Sequence, residues 1–214
     1  MNKIAELKKI HKSKKEEIVS RLKEFEQIWR YGTEEDIFSE LAFCIFTPQS
    51  RAKSCWNAIL ALKNQNLLLT GTPDAISKRL YGVRFHNKKG EYLVRARELF
   101  SHNGHIAIKS FLSRFRDIYS CRDWMVENIK GLGYKEASHF LRNIGFGEKI
   151  AILDRHILRN LKRLKVIEKI PESLSKAKYL DMEKKMGNLA RNLHIPLSHL
   201  DLLLWFKETG EIFK

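Results

Sequence analysis

Apolar residues recur along most of the chain at the three- and four-residue spacing of an α-helix. In the N-terminal segment that begins at Met1, lysines fill the positions between the apolar residues, which are Ile4, Leu7, Ile10, Ile18, Leu22 and Phe25. This spacing predicts one or two amphipathic helices with a basic outer face. The alternation typical of a half-buried strand is not sustained anywhere in the sequence, so the pattern predicts an all-α protein.

The next segment is apolar on nearly every face. Thr33 precedes three acidic residues at positions 34–36, a combination typical of a helix start. The helix then continues through an apolar stretch to Phe46, which predicts burial on all sides. A polar turn at residues 47–50 follows, because Pro48 disfavours helix in the residue before it. This turn is either a plain connector between two buried helices or a loop that contacts a partner.

Two glycines bracket one apolar residue in the segment at residues 129–138. Gly131 and Gly133 flank Leu132, and a helix-forming run begins directly behind them at Tyr134. Glycine adopts left-handed and crowded backbone conformations at little steric cost, so the segment predicts a hairpin between two helices. The free N–H groups at the start of the second helix would face outward and could bind an anion.

The charge of the chain indicates which anion to expect. Lys and Arg number 40 and Asp and Glu number 25, which gives a formal net charge of +15. A solvated lysine-rich surface would explain this charge, but the hairpin favours binding of nucleic-acid phosphates. Residues 81–89 combine basic and aromatic side chains, a composition typical of nucleic-acid contacts. Phe85 in this segment is either a stacking ring or a core residue.

The cysteines and the longest apolar stretches exclude several classes of protein. Cys44, Cys55 and Cys121 are widely spaced and include no Cys-x-x-Cys pair. They predict reduced thiols, and neither a structural zinc site nor an iron–sulfur cluster. The sequence contains no membrane-length apolar span and no signal-peptide pattern. We therefore expect a soluble protein of the cytoplasm, without a membrane partner.

Two acidic residues in the C-terminal part occupy predicted helix starts. Asp154 follows a short apolar run at residues 150–153 and precedes a predicted helix, where it can act as an N-cap. Ser198 and Asp201 form a Ser-x-x-Asp capping pattern, which gives Asp201 a structural explanation. Gly210 closes the last helix, and the residues behind it form a tail.

Lys135 lies in the first turn behind Gly133, where the helix N-terminus carries a partial positive charge. This charge and desolvation both favour the neutral amine, which is a competent nucleophile. A phosphate contact or a solvated surface position is the alternative. Asp154 is an acidic residue that the chain could bring back to face Lys135. The pair therefore raises the possibility of nucleophilic catalysis.

Together these residues resemble the helix-hairpin-helix DNA glycosylases. The resemblance rests on residues 131–135 followed by Asp154, and it covers most of the chain. The segments at residues 47–50, 84–89, 130–145 and 154–156 are similar to the smaller microbial 8-oxoguanine DNA glycosylases with AP lyase activity. The resemblance implies that Lys135 is the nucleophile, that Asp154 is its essential partner, and that His156 contacts a backbone phosphate.

The resemblance also implies an architecture and a binding surface. It implies a two-lobed helical fold, with residues 34–145 in one lobe and residues 1–33 plus 146–214 in the other. Gly131 and Gly133 would bind DNA. A residue of the turn at residues 47–50 would fill the gap in the duplex, and Gln49 is the candidate among the four. The candidates for the base pocket are Phe85, His139, Trp205 and Lys214; helix packing is the alternative for His139, and a frayed chain end is the alternative for Lys214. Lys214 would contribute both an ammonium and the terminal carboxylate.

Two departures from related families refine this prediction. The chain has no cysteine after Cys121, whereas the endonuclease III branch carries a C-terminal iron–sulfur cluster. The N-terminal β domain of the human-type enzymes is also missing. The expected activity is a bifunctional glycosylase and AP lyase without metal or other cofactor. We expect the enzyme to act as a monomer at the nucleoid, on double-stranded DNA that contains 8-oxoguanine or abasic sites. The alternatives are a DNA-binding module without catalysis and a glycosylase for another lesion.

Overall fold

The computed structural model describes residues 3–214; Met1 and Asn2, which the sequence pattern includes in the first helix, lie outside this range. The described residues form twelve α-helices, one π-helical turn and one two-stranded hairpin, which confirms the all-α prediction. In chain order the helices are α1 (Lys3–Tyr31), α2 (Glu34–Phe46), α3 (Ala52–Asn64), α4 (Leu67–Thr70), α5 (Pro73–Ser77), α6 (His86–Phe100), α7 (Ile108–Leu112), α8 (Ile118–Asn128), α9 (Tyr134–Leu141), α10 (Arg155–Arg163), α11 (Lys176–Leu193) and α12 (Leu197–Thr209). The π-helical turn spans Arg142–Phe146, and strands β1 (Ser101–His102) and β2 (His105–Ile106) pair antiparallel.

The N-terminal segment forms a single long helix. Its apolar face buries Leu7, Ile18 and Phe25, and α1 packs mainly against the π-helical turn and α12. Gly145 makes this contact possible. Its φ is +91°, and an added Cβ would stand 2.8 Å from the Cα of Glu26 in α1. Glycine is needed at this position for both reasons, since the backbone is left-handed and the neighbouring helix is close.

Helix α2 begins where the sequence predicts. The Thr33 hydroxyl accepts a hydrogen bond from the Asp36 N–H, and the Asp36 carboxylate accepts one from the Thr33 N–H. These two bonds form a capping box that satisfies otherwise free backbone donors. Every residue from Ile37 to Phe46 is buried, including the carboxylate-bearing Glu40. The predicted burial of this helix on all sides is therefore confirmed.

The hydrophobic core consists of two clusters. One is built by α2 and the elements from α3 to the π-helical turn, and it ends at Ile150. The other joins buried residues of α1 to those of α10, α11, α12 and the segment that begins at Ala151. The predicted division into lobes at residues 34–145 stays a prediction, and the composition of the two clusters supports it.

None of the helices within residues 3–214 combines the length and the apolar character that a membrane crossing requires.

Candidate active site

The hairpin between α8 and α9 depends on its first glycine. Gly131 has a φ of +91°, and an added Cβ would stand 2.5 Å from the ring of Tyr92. Gly133 has an extended backbone and is the N-cap of α9, and its N–H donates to the Glu136 carboxylate at 3.2 Å. A glycine has no side chain with which to cap the remaining N–H groups of the first turn. These groups are therefore available for an anion, as the sequence predicts.

Lys135 extends from the first turn of α9 into an open cleft. Its side chain is 24% exposed, and its Nζ stands 3.5 Å from the Glu136 Oε1 atom. Glu136 therefore contacts both the hairpin backbone and the amine. The amine therefore reaches the cleft from a partly buried position, with a carboxylate in range to accept its proton during a nucleophilic attack.

Asp154 is the N-cap of α10, as predicted. Its Oδ1 atom accepts hydrogen bonds from the N–H groups of His156 and Ile157, both at 2.8 Å. No described residue donates a hydrogen bond to Oδ2. The side chain also lines the cleft that Lys135 enters. One carboxylate oxygen thus orients the group while the other stays available for the cleft.

A buried network fixes the segment in front of Asp154. Glu183 of α11 pairs with Arg122 of α8 through both oxygens, at 2.7 and 2.9 Å, and also accepts the N–H of Ala151 at 2.8 Å. Arg122 donates to the hydroxyl of Ser138 in α9. Tyr179 donates to the carbonyl of Ala151 at 2.6 Å. The helix that carries Lys135 and the segment that leads to Asp154 are therefore joined through the same side chains.

The cleft has a volume of about 1100 Å³, above the range of about 300–1,000 Å³ that is common for small-ligand pockets. Most of the predicted site residues line it, namely Gln49, Lys135, His139, Asp154, His156, Trp205 and Lys214. Gly131, Gly133 and Phe85 do not. The two glycines form the hairpin beside it, and Phe85 is 53% exposed with the Arg84 guanidinium 5.4 Å from its ring centre.

The C-terminal tail enters the cleft. Ile212 is buried, and Phe213 packs against the first hydrophobic cluster. The Lys214 ammonium pairs with Glu40 and lies 3.4 Å from the ring centre of Trp56. Glu40 also accepts a hydrogen bond from Asn143 at 3.0 Å, which holds its carboxylate in place. Glu40 is an acidic residue inside an otherwise apolar helix, which is the sequence signal of a buried partner. The pattern does not indicate that this partner is the C-terminal Lys214.

His139 lies one turn beyond Lys135 and is almost completely buried. No side chain among the described residues forms a hydrogen bond with either ring nitrogen, the backbone of Lys214 lies beside the ring, and the ring stands edge-on to Phe43 at 5.5 Å. Burial keeps the pKa of His139 well below its usual value, and the Arg142 and Lys135 cations act in the same direction. The imidazole is therefore neutral and offers one donor and one acceptor to an occupant of the cleft.

The structure contradicts the prediction made for Asp201. The expected Ser198–Asp201 capping pattern is wrong, because the N-cap of α12 is Pro196 and Asp201 lies inside the helix. Its carboxylate instead accepts the N–H of Ile152 at 3.3 Å and stands 3.9 Å from the Arg142 guanidinium. Burial raises the pKa of Asp201 to about 6; Arg142 opposes this shift, and the charge of Asp154 adds to it. The periodicity of α12 cannot indicate these partners, since both come from distant parts of the chain.

His156 and Trp205 also line the cleft. Their rings meet edge to face at 5.2 Å, and the His156 Nδ1 atom stands 3.8 Å from the Glu208 carboxylate. Glu208 also pairs with Arg163 and accepts a hydrogen bond from Asn160. The position of His156 near the N-terminus of α10 is compatible with the predicted phosphate contact.

No cluster of three or more His, Cys, Asp or Glu side chains suited to a metal ion occurs in the described range. The three cysteines are buried and free, and burial raises the pKa of the Cys121 thiol to about 12.

A helix-hairpin-helix beside a cleft that holds a lysine and an aspartate defines the class: this is the fold of a helix-hairpin-helix DNA glycosylase. Residues 18–195 match the family model for 8-oxoguanine DNA glycosylase. The chain is 49% identical over 209 residues to a protein of Fusobacterium nucleatum subsp. nucleatum named 8-oxoguanine DNA glycosylase/AP lyase, covering 98% of this chain and 96% of that protein. A protein of Korarchaeum cryptofilum with the same name is 39% identical, covering 94% and 91% of the two chains.

The solved structures agree with these sequence matches. The chain superposes with a TM-score of 0.90 on Methanocaldococcus jannaschii 8-oxoguanine glycosylase/lyase in complex with a 15mer DNA that contains 8-oxoguanine, at 35% identity and 100% coverage of both chains. The TM-score with the 8-oxoguanine DNA glycosylase of Thermotoga maritima is 0.88, at 33% identity, covering 99% and 98% of the two chains. The chain belongs to the 8-oxoguanine DNA glycosylase family.

Proposed function

We propose that this chain removes 8-oxoguanine from double-stranded DNA and then cleaves the DNA strand, with Lys135 as the nucleophile and Asp154 as its partner. The activity follows from the family, whose curated members are named 8-oxoguanine DNA glycosylase/AP lyase. One observation supports the two residue assignments most strongly. The side chains of Lys135 and Asp154 line the same cleft, although they belong to different helices.

Binding begins with the phosphates. The net charge of +15 attracts DNA, and the uncapped N–H groups behind Gly133 hold one phosphate at the mouth of the cleft. His156 contacts another phosphate from the N-terminal end of α10. The damaged nucleotide is extruded into the cleft, because its C1′ atom is inaccessible within the stacked duplex. Gln49 fills the space that the nucleotide leaves.

In the first chemical step, the Lys135 amine attacks C1′ of the extruded deoxyribose, and the bond from C1′ to the base nitrogen breaks. Glu136, whose carboxylate is 3.5 Å from the amine, is the acceptor in range for the proton that Lys135 must lose. The departing base takes up one proton from the site. Positive charge develops on the sugar, and the free oxygen of Asp154 stabilises it.

In the second step, the nitrogen that joins Lys135 to C1′ becomes a Schiff base as the sugar ring opens. Loss of a proton from C2′ then expels the 3′ phosphate, which is β-elimination. Water hydrolyses the Schiff base and returns the free lysine. These steps use only side chains and water.

The base itself is read by groups at the inner end of the cleft. His139 supplies a neutral imidazole to which no side chain within residues 3–214 is hydrogen-bonded, and Trp205 supplies an aromatic face. Lys214 brings an ammonium that Glu40 anchors. Phe85 is exposed outside the cleft, so we propose that it stacks on a base of the bound DNA and not on a base within the cleft.

An excision assay on a Lys135→Gln variant tests this proposal. The variant should lose base excision while it retains most of its affinity for duplex DNA, because the phosphate contacts stay in place. Lys130→Gln, at an exposed lysine of the same hairpin that does not line the cleft, is the matched control and should retain excision. Excision by a folded Lys135→Gln protein would show that Lys135 is not the nucleophile. A DNA-binding module without catalysis predicts a different result, in which the parent protein does not excise the base either.

The remaining predictions concern the state of the protein. We propose that it acts as a monomer, because one chain supplies every residue that this mechanism uses. Its substrate places it at the nucleoid, in the cytoplasm. A damaged base other than 8-oxoguanine would require different polar groups around His139 and Lys214, and a panel of lesions scored for excision distinguishes the two.

A further inference from the structure

A lysine that the mechanism does not use is buried beside the cleft. Lys89 lies in the first turn of α6 and is 4% exposed. Its ammonium donates to the carbonyl of Phe46 at 2.7 Å, to the carbonyl of Pro48 at 2.8 Å and to the hydroxyl of Ser50 at 3.1 Å. All three donors of the ammonium are therefore engaged, and all three acceptors belong to one stretch of five residues.

The position of Lys89 suits a cation, but burial works against the charge. The acceptors lie at and just beyond the C-terminal end of α2, where the helix dipole favours positive charge. No carboxylate among residues 3–214 forms an ion pair with Lys89. Burial lowers the pKa of Lys89 to about 8, and the Lys135 cation acts in the same direction. A buried cation without an acidic partner destabilises a fold. The presence of Lys89 therefore directs attention to the conformation of the segment that its ammonium holds.

One residue of that segment, Gln49, and the N-cap residue of α6, Phe85, have left-handed backbone conformations. Gln49 has a φ of +57° and Phe85 a φ of +58°, which non-glycine residues adopt only where the surroundings fix them. The Ser50 hydroxyl, which accepts from Lys89, also accepts the N–H of Arg84 at 3.0 Å. Lys89 therefore holds the turn at residues 47–50 directly and the loop at residues 84–85 through Ser50.

We propose that Lys89 is a positioning residue that fixes these two loops in the arrangement that presents Gln49 to the duplex at the extruded nucleotide. This inference rests on the proposed function, in which Gln49 fills the gap in the DNA. Lys89 itself is buried and does not touch DNA. Loss of its ammonium should leave Lys135 and Asp154 in place but allow the Gln49 turn to leave its left-handed conformation.

A Lys89→Met variant tests the proposal, because methionine keeps an unbranched apolar side chain and removes the three donors. Lys88→Met is the matched control, since Lys88 is the exposed neighbour on the same helix. The substrate is a duplex with 2-aminopurine opposite an uncleavable abasic analogue. The fluorescence of 2-aminopurine reports how far the opposite base leaves the stack, a property that a loss of fold stability alone does not change in fully folded protein.

We expect Lys89→Met to lose most of the 2-aminopurine signal at saturating protein and to raise KM for duplex substrate about tenfold, on the scale of a small misplacement of a contacting group. Its kcat on a preformed abasic site should stay close to that of Lys88→Met. In a Gln49→Ala background, the Lys89→Met change should add little, because the side chain that it positions is already absent.

Additive effects of Gln49→Ala and Lys89→Met, or an unchanged 2-aminopurine signal, would overturn the proposal. Should Lys89→Met not fold, Ser50→Ala is the second variant, since it removes one acceptor of the ammonium and the link to Arg84. Additive effects with Gln49→Ala, or an unchanged 2-aminopurine signal, would overturn the proposal in this variant as well. Cleavage at the preformed abasic site separates this inference from the proposed function. If the parent protein cleaves that site and Lys89→Met gives the same 2-aminopurine signal as Lys88→Met, only the role of Lys89 is wrong.

Discussion

Asp154 meets two requirements with one side chain. Its Oδ1 atom caps α10 through the N–H groups of His156 and Ile157, and its other oxygen is available to the cleft. The sequence left open whether this residue is a cap or a catalytic group. The geometry of the carboxylate is compatible with both, so only a substitution that separates capping from charge can distinguish them.

Asp154→Asn is that substitution. Asparagine caps a helix about as well as aspartate, so the free energy of unfolding should change by less than about 0.5 kcal/mol. The excision rate should fall by about 10²–10³, because the negative charge that stabilises the sugar cation is lost. Asp117→Asn is the matched control, since Asp117 caps α8 in the same way through Tyr119 and Ser120. A rate close to that of the control would show that Asp154 is only a cap.

Asp201 should make the reaction sensitive to acid. Burial raises its pKa to about 6, so the carboxyl is negatively charged above this value and neutral below it. The charged form adds to the negative potential around Lys135 and Asp154 in the cleft. The single-turnover excision rate should therefore fall about tenfold as the pH drops from about 7 to about 5. The Asp201→Asn variant should excise the base more slowly at pH 7, and its rate should no longer fall as the pH drops. An identical fall in rate in the variant would show that another group causes it.

The residues that the sequence indicated are those with local patterns. Gly131 stands out because of its neighbours in the hairpin, and Asp154 because of the helix behind it. Asp201, Glu40 and Lys89 escaped notice or were misinterpreted, because their partners lie far away along the chain. A single sequence does not indicate which distant residue pairs with a buried charge, because the two partners share no local pattern.

At the scale of elements, the starts of α2 and α10 were predictable, whereas the start of α12 and the short connections were not. Capping chemistry places the starts of α2 and α10, and the apolar run predicts the burial of α2. The left-handed conformations of Gln49 and Phe85 were not foreseeable, because neither residue type favours them. The docking of the tail was equally undetermined, since it depends on Glu40 and Trp56 from the first cluster.

The tail is the element whose removal should separate base reading from strand cleavage. Deletion of Phe213 and Lys214 removes the ammonium that Glu40 and Trp56 hold inside the cleft. Excision of 8-oxoguanine should fall by about tenfold or more, whereas cleavage of a preformed abasic site should change little, because that site has no base to read. Equal loss on both substrates, or no loss on either, would contradict a reading role for the tail.

At the scale of the whole molecule, the buried ion pair of Arg122 and Glu183 links the helix that carries Lys135, through Ser138, to the segment in front of Asp154, through Ala151. Arg122 and Glu183 are almost completely buried and come from α8 and α11. Glu183 also accepts the N–H of Ala151, close to Asp154 in the chain. A break in this pair should therefore affect both the stability of the fold and the geometry of the cleft.

Glu183→Gln should lower the free energy of unfolding by about 3 kcal/mol, because it leaves the buried Arg122 cation without a counter-charge. Asp181→Asn is the control on the same helix. It removes an exposed pair with Lys185 and should cost less than about 1 kcal/mol. Denaturant unfolding of both variants gives the comparison. Equal stability of the two would show that the buried pair contributes no more than a surface pair.

The central claim is that Lys135 forms a covalent bond to the sugar, and borohydride reduction during the reaction tests it directly. Borohydride reduces a Schiff base to a stable amine, so the protein and an 8-oxoguanine duplex should become permanently joined. Digestion and mass spectrometry should then locate the sugar on the peptide that contains Lys135, and the Lys135→Gln variant should yield no adduct. An adduct on another residue, or base excision with no trapped species, would contradict the account.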